Sequence, residues 1–386
     1  MGKGVLDGVT VLDFGRYIAG PLACAMLGDL GADVIRIERV GGAEDRQLYP
    51  VTEDGEGALF LQVNRNKRSL AMDVKSPGGQ EVLRRLVRKS GIVVANLPEA
   101  GLKDLGIDYE SLKAIREDVI LVAVSAFGPE GPYADKVGFD GVGQAMSGAV
   151  HLSGFERPTK SFASWVDFTT AQLAAFGALA AIHERTRSGR GQRVDTSLFG
   201  AALTVMNFPL IEQALTGADR ERNGNTGQSG APADIFQTRD GWVAIQVLGE
   251  GIFRRWARLM GEDRWLSDPR FATDGLRSAN AGVLCERTGR WCADLTTEEA
   301  LDALASARVP AGPVLSPRQA LEHRQVREGG MLKGMSYPGL EGEIPLVIGL
   351  RMSGAPVDIH RRPPLAGEHT DEILRQLEID ERVTPH

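Results

Sequence analysis

One carboxylate stands where it could take part in covalent chemistry. Asp167 follows the residues SWV and comes just before a long alanine-rich stretch that is typical of a buried helix. Aspartate is among the best residues for capping the first free N–H groups of a helix, so a structural role explains this position. From the spacing alone capping is the better explanation, but catalysis is also possible, because a carboxylate at a turn into a helix can attack an activated acyl group. The local spacing leaves both roles open.

The sequence lacks the motifs of the commonest enzymes that use an α/β sheet. Gly15 is followed by RYIAGP rather than by a dinucleotide-binding glycine pattern, and no G-x-x-x-x-G-K-[ST] segment occurs. TGQSGAP does not complete G-x-S-x-G, since Ala231 stands where the last glycine belongs. No pair of histidines has H-E-x-x-H spacing, so the sequence gives no support to a catalytic metal.

The composition is that of a soluble globular protein. The chain has 386 residues, of which 42% are hydrophobic and 25% charged, and this length predicts at least two domains. The net charge of −7 argues against nucleic acid as the main partner, since such binding requires a basic surface. No segment resembles a signal peptide or an uninterrupted apolar membrane span. Three cysteines without a Cys-x-x-Cys pair suit a reducing compartment, so we predict a cytoplasmic protein without a membrane partner.

The N-terminal half alternates between strand-like and helix-like segments. VTVLDF (Val9 to Phe14) predicts a strand, PLACAMLGDLG a helix that ends at Gly31, and ADVIRIE (Ala32 to Glu38) a second strand. RSLAMDV, IVVANL and VILVAVSAFG predict further strands, separated by helices. A long helix is predicted after Asp167, to about Arg187. Parallel strands joined by helices imply an α/β fold with an open, Rossmann-like, mostly parallel sheet.

The composition changes after the first half of the chain. We predict a large α/β domain in residues 1–215, a Gly/Asn-rich loop or linker in 216–232, a smaller α+β domain in 233–315, and a return to the large domain with a C-terminal helix in 316–386. In the smaller domain, DIFQTRDGWVAIQVL predicts a hairpin that turns at Asp240-Gly241.

Several stretches together resemble the class III CoA-transferases, the family that includes the formyl-CoA, carnitine and bile-acid-inducible CoA-transferases. They are LDGVTVLDFGRYIAGPLACAMLGDLGADVIRIERVGGAED, NRNKRSLAMDVKSPGGQEVLRRLVRKSGIVVANL, LGIDYESLK, SAFGPEGPYADKVGFDGVGQAMSG, RTRSGRGQRVDTSL, DPRF, VPAGPV and PLAGEHT. These stretches occur in the family's order and span nearly the whole chain. The resemblance implies an interlocked dimer of the two-domain fold.

The resemblance also implies a mechanism. In this family a single aspartate between the G-P-Y and Gly-Arg-Gly-Gln segments is the nucleophile, which here is Asp167. It would attack the thioester of an acyl-CoA donor, carry acyl and then CoA as aspartyl intermediates, and pass CoA to a carboxylic acid acceptor. Coenzyme A is then part of the substrate, and no metal or tightly bound cofactor is expected.

A coenzyme A site follows from the same resemblance. Its residues are Arg16, Tyr17, Ile18, Ala19, Arg39, Met72, Lys75, Asn96, Leu97, Lys103 and Lys136. The turn at residues 16–19 would hold the reactive end of CoA, since free N–H groups at a helix N-terminus suit polar ligands. Gly227 and Gly230 lie in NGNTGQSGAP (Asn223 to Pro232), which is either a mobile lid over the site or a plain linker.

The chain departs from the family at two of these positions. Ile18 stands where formyl-CoA members carry a glutamine, and isoleucine cannot hydrogen-bond an intermediate, so formyl-CoA and oxalate are not the expected substrates. In GLKDLG, Asp104 replaces a common arginine, and Lys103 is the nearest substitute for its charge. Arg16 and Tyr17 would suit an acid with a second carboxylate, which favours succinyl-CoA as the donor.

Three alternatives remain open at this point. A racemase or epimerase of the same superfamily would need an acid/base pair, but Phe139 replaces the histidine of the racemase GHD motif. An isomerase that moves CoA within one dicarboxylate would use the same aspartate. The chain could also be a non-catalytic CoA-binding subunit of a heteromer, although the retained Asp167 counts against this.

Overall fold

The structure is a computed structural model that describes residues 4–377. Its strands are β1 (Thr10–Asp13), β2 (Asp33–Glu38), β3 (Lys67–Ala71), β4 (Ile92–Ala95), β5 (Ile120–Ser125), β6 (Gln192–Ser197), β7 (Ala233–Gln237), β8 (Trp242–Gln246), β9 (Ala311–Pro313), β10 (Leu332–Ser336) and β11 (Glu343–Val347). Its α-helices are α1 (Ala19–Asp29), α2 (Ala58–Val63), α3 (Pro77–Ser90), α4 (Glu99–Leu105), α5 (Tyr109–Ile115), α6 (Asp140–Met146), α7 (Ala149–Leu152), α8 (Trp165–Ser188), α9 (Leu198–Val205), α10 (Asn207–Thr216), α11 (Glu250–Leu259), α12 (Asp274–Ala279), α13 (Ala281–Ala293), α14 (Thr297–Ser306), α15 (Pro317–Glu322), α16 (Arg324–Glu328) and α17 (Thr370–Gln376).

Two compact units share the chain. The first comprises Met1–Gly148, Ser161–Thr216 and Gln325–His386, and the second comprises Ala149–Lys160 and Gly217–Arg324. Residues 1–3 and 378–386, which include His386 and the end of the predicted C-terminal segment, lie outside the described part of the chain.

A six-stranded parallel sheet in the order β3-β2-β1-β4-β5-β6 forms the centre of the first unit. This confirms the predicted α/β fold with a mostly parallel sheet. The strand order reverses between β1 and β4, and open α/β sheets bind ligands in the crevice at the carboxyl ends of the strands flanking such a reversal. We therefore expect a ligand-binding site at the loops that follow β1 and β4.

Helices cover both faces of this sheet, because its central strands alternate between two cores. Val11 of β1 packs with helices α1 and α8, whereas the next residue, Leu12, packs with α3 and α5. Strand β4 is buried along its whole length, as expected for a strand enclosed by helices on both sides. A sheet enclosed in this way is a rigid frame for the loops at its edge.

Helix α8 is the one helix in the described residues that alone is long and apolar enough to cross a membrane. Several of its alanines, among them Ala171, Ala174 and Ala178, are buried against α1 and the sheet. It ends at Ser188, with Gly189 in the left-handed conformation as its cap (φ 71°), close to the predicted end.

The second unit is built on a small antiparallel sheet in the order β7-β8-β9. Strands β7 and β8 pair across residues 238–241, which confirms the predicted hairpin. Phe236, Val243 and Trp256 belong to the core that α11 and α13 form with this sheet. A separate hairpin of β10 and β11 belongs to the first unit.

Candidate active site

Asp167 is the third residue of α8, which begins three residues earlier than the sequence predicts. The residue at the cap position is Ser164, whose side chain makes no capping hydrogen bond. Instead, Oδ1 of Asp140 accepts the N–H groups of Val166 at 2.8 Å and of Asp167 at 3.2 Å. Asp140 therefore accepts the N–H groups at the start of α8, and the prediction that Asp167 caps this helix is wrong.

The Asp167 carboxylate lies in an environment that disfavours its charge. Within residues 4–377, no group donates a hydrogen bond to it. Burial, and after it the neighbouring Asp140 carboxylate, raise the pKa of Asp167 from 3.8 to about 7. A poorly solvated carboxylate of raised pKa is a stronger nucleophile than an exposed one when it is ionised, and such shifts concentrate at functional sites.

Asp167 faces a cavity of about 240 Å³ at the carboxyl ends of β1, β4 and β5. Seven of the residues predicted for the site line this cavity together: Arg16, Tyr17, Ala19, Asn96, Leu97, Lys136 and Asp167. They come from widely separated parts of the sequence, and the strand reversal between β1 and β4 brings them to one place.

The loop after β4 fixes the loop after β1 through one amide. Asn96 Oδ1 accepts the Arg16 N–H at 2.6 Å, and Asn96 Nδ2 donates to the Arg16 carbonyl at 2.7 Å. Both backbone groups of Arg16 are thus satisfied by one side chain. The Arg16 side chain lines the cavity, and its Nη1 donates to the Gly15 carbonyl at 2.9 Å. Glu44 is the nearest acid to this guanidinium, at 3.9 Å from Nε to Oε1.

Aromatic rings form one wall of the cavity. Tyr17 and Phe139 meet edge to face with their centroids 5.5 Å apart. The Lys136 ammonium lies 3.6 Å from the centroid of the Tyr133 ring, and no acid among the described residues pairs with it. The lining thus offers two cations, Arg16 and Lys136, on an otherwise mostly apolar surface.

A second cavity, of about 400 Å³, shares Arg16 with the first. Arg39, Met72 and Lys75, three further predicted site residues, line it. Lys75 Nζ is paired with Asp104 Oδ2 at 2.5 Å, and this pair raises the pKa of Lys75.

Four predicted residues lie elsewhere. Ile18 is buried in the core of the first unit, with 6% exposure, and Lys103 is exposed on α4; neither lines the two cavities. Gly227 and Gly230 belong to the second unit, where Gly227 lines an open groove along β7, β8 and β9.

Comparison with known proteins identifies the family of this chain. The sequence profile of CoA-transferase family III matches residues 6–370. The chain belongs to this family. It is 35% identical to a succinyl-CoA–D-citramalate CoA-transferase of Chloroflexus aurantiacus over 96% of the chain and 94% of that protein. It is also 33% identical to a succinate–glutarate CoA-transferase of Agrobacterium fabrum, over 98% and 97%.

Further similarities broaden the range of substrates among the relatives. A formyl-CoA:oxalate CoA-transferase of Bradyrhizobium is 31% identical over 96% of the chain and 93% of that protein. Among solved structures, a CaiB/BaiF family protein of Brucella suis superposes with a TM-score of 0.83 at 32% identity, over 98% of this chain and all of that one. The family resemblance seen in the sequence is confirmed, and the protein is a CoA-transferase of family III.

Sequence reasoning missed Asp140, which contacts the backbone of Val166 and Asp167. Asp140 lies in GFDGVGQ, where the sequence drew attention only to Phe139. Its role depends on hydrogen bonds to residues 26 and 27 positions later, which a local pattern does not reveal. In the described residues, no group of three or more His, Cys, Asp or Glu side chains is arranged to hold a metal ion.

Proposed function

We propose that this transferase moves CoA from a dicarboxylic acyl-CoA donor to a carboxylic acid acceptor through covalent intermediates on Asp167. The observation that carries the proposal is the Asp167 carboxylate itself. It faces a cavity, it accepts no hydrogen bond from the described residues, and burial raises its pKa to about 7. A structural carboxylate would be hydrogen-bonded, as Asp140 is.

The proposed reaction begins with transfer of the acyl group to the enzyme. An Asp167 oxygen attacks the thioester carbonyl, the C–S bond breaks, and CoA leaves as its thiolate from a mixed anhydride. The thiolate then attacks the Asp167 carbonyl carbon, the anhydride C–O bond breaks, and the donor acid departs as a carboxylate. CoA remains bound to Asp167 as a thioester.

The second half retraces these steps with the acceptor. Its carboxylate attacks the aspartyl thioester, releasing the thiolate from a second anhydride, and the thiolate attacks the acceptor's carbonyl. Acyl-CoA leaves and the Asp167 carboxylate is regenerated, with no net gain or loss of a proton. Water must be kept from both kinds of intermediate, and the apolar wall formed by Tyr17 and Phe139 suits this need.

The two cations of the cavity favour a donor with a second carboxylate. Arg16 and Lys136 both line the space in front of Asp167. Two of the relatives are named for succinyl-CoA or succinate, which agrees with this chemistry. The expectation against formyl-CoA remains a prediction. It was based on Ile18, and the side chain of Ile18 is buried and does not line the cavity, so this residue gives the expectation little support.

The second cavity suits the nucleotide end of CoA. Arg39 and Lys75 would meet its phosphates, and Met72 would contact the adenine. Because Arg16 lines both cavities, CoA extending from one to the other would bring its thioester toward Asp167. Three free cysteines and a soluble α/β fold suit the cytoplasm as the place of action.

Peptide mass spectrometry tests the covalent step. The protein is incubated with succinyl-CoA, trapped with hydroxylamine and digested, and we expect a hydroxamate on Asp167. A protein that stays unmodified while it exchanges an α-proton of the acyl group with solvent would be a racemase. A protein that shows neither labelling of Asp167 nor α-proton exchange with a panel of acyl-CoAs would fit a non-catalytic subunit. If Asp167 is labelled but CoA returns only to the same dicarboxylate, the protein would fit the isomerase.

Asp104 is predicted to weaken CoA binding. Asp104→Asn frees Lys75 from its partner, so we expect the KM for acyl-CoA to fall about two- to fivefold at low ionic strength, with kcat unchanged. Glu81→Gln is the matched control, since it removes one exposed negative charge that pairs with Arg84 and Arg85 on α3. An equal change of KM in both variants, or no salt dependence of the effect, would contradict the assignment of Lys75.

We also propose a homodimer, which the resemblance implies. No residue of α10 is buried, and Phe208, Ile211 and Leu215 form an apolar stripe along it with exposures of 76%, 50% and 80%. In light scattering, the double variant Phe208→Asp/Leu215→Asp is expected to run as a monomer. Leu321→Asp, which places the same charge on the exposed helix α15, is expected to leave the dimer intact.

A further inference from the structure

The turn between β1 and α1 has a backbone conformation that needs support from outside the turn. Tyr17 has φ 60°, in the left-handed region that non-glycine residues avoid. Such conformations persist where the surroundings fix them, and they are concentrated at functional sites. Arg16 and Tyr17 both line the Asp167 cavity, so the groups that hold this turn also determine where these two side chains lie.

Buried charged side chains hold the turn on its inner side. Asp45 Oδ2 accepts the Tyr17 N–H at 2.8 Å, and Asp13 Oδ1 accepts the Gly15 N–H at 2.7 Å. The Gly15 carbonyl in turn accepts a hydrogen bond from Arg36 Nη1 at 3.3 Å. The turn is therefore held through its backbone by Asp13 from the adjoining strand and by Arg36 and Asp45 from more distant parts of the sequence.

These side chains are themselves fixed by ion pairs. Arg36 Nη2 donates to both oxygens of Asp45, at 2.7 and 3.0 Å, and Lys67 Nζ lies 2.6 Å from Asp13 Oδ2. Lys67 also donates to the carbonyl of Pro21, in the first turn of α1, at 2.7 Å. Burial alone would raise the pKa of Asp13, but Lys67 and Arg36 outweigh it and lower this pKa, so Asp13 is charged.

The ion pairs around the turn belong to a cluster of buried charges whose contribution to stability is expected to be small. Its members are all nearly or fully buried, with three acids and three bases: Asp13, Glu38, Asp45, Arg36, Arg46 and Lys67. Replacing buried ion pairs by apolar side chains of similar volume is often neutral or stabilising, so such pairs are weak stabilisers. What this cluster supplies that an apolar core cannot is a set of directional acceptors for the N–H groups of the turn.

We propose that Asp45 is a positioning residue for the transfer reaction. By accepting the Tyr17 N–H and pairing with Arg36, it keeps Tyr17 in the left-handed conformation and holds the side chains of residues 16 and 17 against the reacting end of the acyl-CoA. The inference rests on the proposed function, because it takes the Asp167 cavity as the place of reaction.

Kinetics of Asp45→Ala test this inference. We expect kcat/KM to fall about 100-fold, as when a reacting group is displaced by about 1 Å. Inhibition by free CoA is expected to change less than about twofold, because CoA would still bind through the second cavity. Asp29→Ala is the control, since the Asp29–Arg65 pair (2.6 Å) is also largely shielded from solvent but lies at the end of α1. It should lose stability and keep kcat/KM.

A double-mutant cycle separates positioning from a general structural role. Glycine adopts positive φ without strain, so in a Tyr17→Gly background the conformation of residue 17 depends less on Asp45. In that background Asp45→Ala should lower kcat/KM by less than about fivefold. An equal loss in both backgrounds would overturn the inference. If Asp45→Ala does not fold, Asp45→Ser replaces it in the cycle, because its shorter side chain withdraws the acceptor from the Tyr17 N–H while it keeps a polar group near Arg36.

The two proposals fail in different ways. Wild-type kcat/KM in Asp45→Ala, with Asp167→Asn inactive, would overturn the role of Asp45 alone. Full activity of Asp167→Asn would instead overturn the proposed function, whatever the result for Asp45.

Discussion

Asp167→Asn is expected to abolish CoA transfer, with kcat/KM about 10⁴-fold below that of the wild type. The amide that replaces the carboxylate cannot attack a thioester, whereas the shape of the side chain is kept. The start of α8 should be unaffected, because Asp140 rather than Asp167 accepts the N–H groups there. Chromatographic separation of CoA esters, with succinyl-CoA and a panel of dicarboxylic acids, measures the loss.

The same variant is expected to be more stable than the wild type. The pKa of Asp167 in the folded protein, about 7, is above its ordinary value of 3.8, so ionisation disfavours folding increasingly as the pH rises through this interval. Asparagine removes that cost, and we expect the free energy of unfolding to rise by about 2–4 kcal/mol at pH 8, with little change near pH 4.

Asp371→Asn is the control for both effects. Asp371 is also an acid in the first turn of a helix, α17, but it is exposed. Its replacement removes a favourable interaction with the helix dipole, so it should lower stability slightly and leave transfer unchanged. If Asp167→Asn transferred CoA as well as Asp371→Asn does, Asp167 would not be the nucleophile.

The pH dependence of the reaction is the second large effect that we expect. Only the ionised carboxylate attacks the thioester, and kcat/KM reports the free enzyme. With a pKa of about 7 for Asp167, kcat/KM for the acyl-CoA should fall about 100-fold between pH 8 and pH 5. Initial rates at low acyl-CoA concentration, in buffers of constant ionic strength, provide the profile.

Asp140→Asn should shift this profile. Its amide oxygen can still accept the N–H groups of Val166 and Asp167, but the negative charge that raises the pKa of Asp167 is gone. The pKa of Asp167 is then lower, and the fall in kcat/KM should begin at a lower pH than in the wild type. A profile that stays in place, or moves to higher pH, would show that Asp167 does not govern it.

The sheet was predictable because its strands are marked along the sequence itself. IVVANL and VILVAVSAFG are continuous apolar runs, as buried parallel strands require, and they correspond to β4 and β5. The start of α8 was less predictable, since it depends on an acceptor in α6 that lies far away in sequence. Local patterns indicate that a helix exists more reliably than where it begins.

The candidate site was predictable only in part, for a related reason. Residues that face the cavity, such as Asn96 and Lys136, could be named from the resemblance, and seven of the predicted residues do line one cavity. Ile18 follows Tyr17 directly, yet its side chain is in the core, which neighbourhood in sequence does not reveal. Arg36 and Asp45 were not recognised, because charged residues are normally expected at the surface.

The way in which the turn after β1 is held has a consequence for how such an enzyme can diversify. Asn96 and Asp45 hold the turn through its main chain. The Arg16 side chain adds a hydrogen bond to the Gly15 carbonyl, whereas the Tyr17 ring is held by packing, as against Phe139. Substitution of Tyr17 can therefore alter which acid is accepted with less effect on the loop than substitution of Arg16. The relatives are named for different acids, and if Asp167 is the nucleophile as proposed, such a scaffold would let one aspartate serve several of them.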